Sequence, residues 1–139
     1  MKNIALIIVA LLITSCTSKI PTSGNTDIKT SKIKDANDDE KWEVVVFDPD
    51  YETFLRSRAR PISMFTDSYL KSRNQMLVSE WNSRYLSGRN RNIYEVSIDY
   101  DINEDYGIEF NYRLYQFFAY VSARYGVKFN NLSVMDARR

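Results

Sequence analysis

Glu80, Asp99 and Asp101 are carboxylates that could work in pairs, and Trp81 and Arg84 stand beside the first of them. Glycoside hydrolysis needs two carboxyl groups about 5–10 Å apart with one held protonated. Glu80 with Asp99 or Asp101 is therefore the catalytic pair to consider. The chain has no histidine and one cysteine, which removes Ser-His-Asp catalysis, Cys-His catalysis and His-ligated zinc. None of its four glycines follows a strand in the pattern of a phosphate loop. Trp81, Asn82, Arg84 and Tyr85 suggest a second chemistry, because such groups stack on sugar rings or anchor a partner protein. Trp81 also falls on the helix face of Leu70 and Leu77, where its role would be core packing. Asp99, Asp101, Asn103 and Asp105 offer oxygen ligands to a divalent cation. Counted from Asp101, however, the positions an EF-hand loop gives to Gly and Glu hold Tyr106 and Tyr112, so neither a metal site nor a cofactor is assigned.

The single cysteine, Cys16, has a chemistry of its own. It follows Lys2 and an apolar run from Ile4 to Ile13, then Thr14 and Ser15. That run of about ten residues is half the roughly 20 that a membrane-spanning helix needs, so it reads as the apolar region of a cleaved signal peptide. Ile13-Thr14-Ser15-Cys16 resembles the lipobox of bacterial lipoproteins, with Ile13 where leucine is usual. The resemblance implies diacylation of the Cys16 sulfur, cleavage before it and acylation of the new amine. Several acyl chains anchor stably where one does not.

Three regions are expected: a signal peptide over 1–15, a lipidated tether over 16–41 and one globular domain over 42–139. Thr17 to Lys41 is rich in Ser, Thr, Lys, Asp and Asn and has no aromatic residue, a composition that buries too little apolar surface to fold. As a flexible chain of about 25 residues it would span roughly 25–30 Å. Lys and Arg number 19 against 18 Asp and Glu, so nothing draws the chain globally toward nucleic acid. The distribution is uneven. Glu95, Asp99, Asp101, Glu104, Asp105 and Glu109 follow one another without a Lys or Arg, while Arg56, Arg58, Arg60, Arg84, Arg89 and Arg91 precede them. Internal pairing between those blocks is the simplest account.

The elements that would position these groups alternate in type. Trp42 to Phe47 is a strand by its β-branched and aromatic content. Asp48 caps and Pro49 opens a short helix that Pro61 ends. Leu70, Leu77, Trp81 and Tyr85 mark a long helix over Asp67 to Ser87. Tyr94, Val96, Ile98 and Tyr100 alternate with polar residues as in a half-buried strand. Phe110, Leu114, Phe117, Val121 and Tyr125 mark a helix that Gly126 ends, with Asp105 as a candidate cap, and Val127 to Leu132 reads as a third strand. The class is α/β or α+β, a small two-layer domain of about three strands with helices mainly on one face. Were the first two strands parallel, Asp48 and Asp101 would meet at one sheet edge as an acidic mouth.

Phe47-Asp48-Pro49, Ser79-Glu80-Trp81-Asn82, Ile98-Asp99-Tyr100-Asp101 and Tyr106-Gly107-Ile108-Glu109 with Asn111, Tyr112, Leu114 and Tyr115 resemble an uncharacterised family of small lipoproteins of Bacteroidota-type bacteria. The resemblance implies a single domain and an envelope location, and brings no catalytic residue. The functional expectation is a membrane-anchored envelope lipoprotein on the periplasmic side of the outer membrane, a non-catalytic component that binds an envelope protein or glycan. The alternative is a carboxylate-based hydrolase of envelope glycan.

Overall fold

A computed structural model describes residues 27–34 and 40–137. The expected signal peptide and Cys16 lie outside the described residues. The order is β1 (Ile28–Lys34), β2 (Glu40–Val46), α1 (Pro49–Ser57), a 3-10 turn (Ile62–Met64), α2 (Asp67–Leu86), α3 (Ile108–Tyr125) and α4 (Val134–Ala137). It is a mixed α/β domain whose sheet, among the described residues, is one antiparallel pair, β1 with β2, in the register Ile28↔Val46, Thr30↔Val44 and Lys32↔Trp42.

The helices begin and end for local reasons. Asp48 Oδ1 accepts the Asp50 N–H at 3.0 Å and Pro49 opens α1. Thr66 caps α2 by accepting the Tyr69 N–H. Gly107, not Asp105, precedes α3, with a φ of 78° that an L side chain rarely adopts, and the Asp105 side chain stands 92% exposed. Gly126 ends α3 in the left-handed conformation, φ 67°. Between those glycines every residue from Leu114 to Ser122 is buried. A helix covered on all sides is the core of its domain, and α1, α2, α4 and β2 each pack on α3.

Three expectations are corrected. Ile28–Lys34, inside the stretch expected as tether, is a strand: it pairs with β2 and sets Ile28 into the core at 6% exposure. Tyr94 to Tyr100 keeps its alternation, with Tyr94 and Ile98 buried and Ser97 and Asp99 exposed, but has no strand ladder. Val127 to Leu132 is likewise irregular, with Phe129 and Leu132 turned inward. β2 ends just before Asp48, but with no ladder at Tyr94–Tyr100 there is no parallel strand to bring Asp101 to the same edge.

Tyr51, Tyr115 and Tyr120 sit in the core, donating to Arg113 O at 2.6 Å, Asp136 Oδ2 at 2.8 Å and Asp48 Oδ2 at 2.5 Å. Burial raises all three phenols well above their ordinary value of 10.0, and the carboxylate partners of Tyr115 and Tyr120 raise those two further. The folded state therefore keeps protons that the unfolded chain releases above pH 10. Stability is intact below that pH and falls above it by about 1.4 kcal/mol per pH unit for each such tyrosine. In an alkaline titration the last part of the phenolate absorbance, that of these three of the ten tyrosines, should appear only together with the loss of helical circular dichroism. Ionisation of all ten phenols with the helices intact would contradict this burial.

Candidate functional site

The C-terminal half of α2 carries three of the five residues singled out for binding, and four of its side chains hold two irregular segments. Trp81 is fully buried; its Nε1 donates to Val96 O at 2.8 Å and its rings meet Tyr94, Phe117 and Phe118 edge-on. Asn82 Nδ2 donates to Ile98 O and Asn82 Oδ1 accepts the Ile98 N–H, both at 2.8 Å. One side-chain amide thus supplies the donor and the acceptor that a neighbouring strand would have offered. This is why Tyr94–Tyr100 shows strand-like burial without strand pairing: its ladder is replaced by helix side chains.

Glu80 and Arg84, one turn apart, do the same for the segment after α3. They form an ion pair, Asn130 N donates to Glu80 Oε2 at 3.1 Å, and Arg84 donates to Lys128 O at 2.6 Å and to Tyr94 Oη at 2.7 Å. The guanidinium lies over the Phe129 ring, 4.8 Å from its centroid. Arg84 therefore ties together the two segments that the sequence presents as strands.

Asp99 and Asp101 lie elsewhere. Asp99 O accepts Thr30 Oγ1 at 3.4 Å, and Asp99 lines a cavity of about 400 Å³ with Asp27, Ile28, Phe47 and Ile98 but with neither Glu80 nor Asp101. Asp101 Oδ1 closes a turn by accepting the Asn103 N–H at 2.9 Å. The loop it begins is fastened by Tyr106, which stacks between Tyr100 and Phe110 and meets Trp42 edge-on. Among the described residues no three Cys, Asp or Glu side chains gather as a metal site.

Two groups escaped the sequence reading. Asp136 of α4, 2% exposed, takes Arg60 Nε at 2.6 Å and Nη2 at 2.9 Å as well as the Tyr115 hydroxyl. Beside the cavity that holds Asp99, the Glu95 carboxyl is raised above its ordinary value by burial and by the neighbouring Asp27 carboxyl. Neither has a local sequence signal, since each joins residues remote in the chain.

Against this geometry the comparisons have one result. A family of unknown function, DUF6146, matches residues 4–137. The chain belongs to that family. No curated protein and no solved structure matches it. The uncharacterised family expected from the short motifs is thus of the right kind. The DUF6146 match begins inside the apolar run and takes in Cys16, β1 and all of the helices. Membership brings no assigned reaction, so the roles of Glu80, Trp81 and Arg84 rest on their contacts, and those contacts are internal.

Proposed function

We propose that this DUF6146 protein is an envelope lipoprotein, held by acyl chains on Cys16 at the periplasmic side of the outer membrane, with a non-catalytic role in binding or assembly. The observation that carries the reading is Ile13-Thr14-Ser15-Cys16 at the end of a short apolar run that begins after Lys2. Among the described residues no helix is long and apolar enough to cross a membrane. The partner is an envelope protein or glycan. The hydrolase alternative draws less support, because Glu80 is committed to Arg84 and Asn130 and Asp101 to its own turn.

Replacing Cys16 with serine should move the protein from the membrane to the soluble fraction, and mass spectrometry of the wild-type N-terminal peptide should show acyl chains on Cys16. A wild-type Cys16 without acyl chains refutes the anchor. For the binding role, crosslinking of the lipidated protein in intact envelopes should capture a protein or a glycan strand at native abundance.

A further inference from the structure

α2 and α3 run in the same sense. Asn74 meets Asn111 early in the two helices, and Trp81 meets Phe117 and Phe118 further along. Both helices therefore end at one pole of the domain. Leu86, 81% exposed, closes α2 there, and the exposed Arg89 and Arg91 follow. The start of the sheet lies at the same pole. Asp27 O accepts the Phe47 N–H at 3.0 Å, and Asp27 is a neighbour of Glu95. A cavity of about 310 Å³ lined by Tyr85, Leu86, Arg91, Tyr94 and Glu95 adjoins the 400 Å³ cavity of Asp27, Phe47 and Val96 along the Glu95–Val96 bond. Phe47 is 57% exposed on its rim, and Lys29 beside it is exposed as well. The opposite pole, where α3 begins, carries Asp101, Asp105 and Glu109, all exposed.

Strand β1 changes the length of the tether. Only residues 17–26 separate Cys16 from Asp27. A flexible chain of that length has an r.m.s. span of about 17–20 Å, whereas a domain of about 100 residues, with a radius of gyration near 13 Å, is roughly 34 Å across. A tether of that average span holds the pole it enters, on average, nearer the lipid than the opposite pole. That pole combines the exposed apolar side chains of Phe47 and Leu86 with the exposed cations Lys29, Arg89 and Arg91, beside the carboxylates of Asp27, Glu95 and Asp99.

We propose that this pole is a lipid-facing surface, with Phe47 and Leu86 entering the bilayer interface and Lys29, Arg89 and Arg91 meeting lipid phosphates. The assignment rests on the anchor at Cys16. It orients the domain so that the acidic pole around Asp101, Asp105 and Glu109 points away from the membrane.

The acylated cysteine leaves the chain without a free thiol, so Phe47→Cys and Ile108→Cys each give a unique site for an environment-sensitive fluorophore, at the two opposite poles. The lipidated proteins, with acylation checked by mass spectrometry, are reconstituted in vesicles of phosphatidylethanolamine and phosphatidylglycerol. The residue 47 label should brighten several-fold, shift to the blue and be quenched by lipid-borne nitroxides, while the label at 108 behaves as in water. Arg89→Glu with Arg91→Glu should return the residue 47 label toward its aqueous signal. An acylated protein whose label at 47 stays wet overturns the orientation and leaves the anchor standing. A label that is wet in protein-free vesicles and dry only in native envelope assigns the pole to a protein and also overturns it. Absence of acyl chains overturns both readings.

Discussion

Asp136→Ala should cost about 3–5 kcal/mol, the range for removing one partner of a buried ion pair. The Asp136 side chain is 1% exposed and that of Arg60 18%, and the two meet in a two-point contact that also receives the Tyr115 hydroxyl. Without the carboxylate, Arg60 keeps a charge in a site with little water, and Tyr115 is left with the Ser133 N–H as its neighbour. A domain of this size is stable by roughly 5–15 kcal/mol, so the loss is a large share of the total. It should appear as a lower urea midpoint. The cause is separable from simple loss of packing. Arg60→Met with Asp136→Leu replaces the pair by apolar groups and should be more stable than Asp136→Ala alone, because no charge is stranded. If Asp136→Ala shifted the midpoint by less than about 1 kcal/mol, the exposed-pair range, α4 would not be fastened by this contact.

The three longer helices were legible because their signals are local, whereas the single turn of α4 was not. Asp48-Pro49 starts one helix, Gly126 stops another, and the apolar residues from Phe110 to Tyr125 recur at helical spacing. Of the strands, Trp42 to Phe47 was legible from its β-branched and aromatic content and overlaps β2; the others were not, for two different reasons. Ile28–Lys34 reads IKTSKIK, a lysine-rich stretch with few apolar residues. It is a strand because β2 lies beside it and Ile28 has a core to enter, a condition set by the rest of the chain. Tyr94 to Tyr100 failed in the opposite direction. Its period of two correctly reported which side chains face inward, but alternation is silent about which groups satisfy the backbone. In the same way Glu80, Trp81 and Arg84 were legible as a cluster on one helix. Whether they faced a ligand or the protein's own backbone depended on Val96, Ile98, Lys128 and Asn130, which are 12 to 50 residues away by sequence number.

Trp81→Ala is the substitution that decides between those two roles. A tryptophan that stacks on a ligand loses binding when truncated and leaves the fold intact. Trp81 has no exposed surface, three aromatic neighbours and a hydrogen bond to Val96 O. Its removal should cost about 3–5 kcal/mol for the cavity and about 1–3 kcal/mol more for the stranded Val96 carbonyl, a large share of the stability of a domain of this size. Trp81→Phe keeps most of the volume and loses only the donor, so its cost should lie in the smaller of those ranges. Asn82→Ala should cost about 1–3 kcal/mol by freeing the Ile98 N–H and carbonyl. Its effect should be local. Amide hydrogen exchange at Ile98 should accelerate in Asn82→Ala while exchange within α3 stays slow, because the core helix does not depend on that amide. Trp81→Ala with a wild-type melting midpoint would mean that the indole is not the clasp the geometry describes, and would return Trp81 to the residues available to a partner.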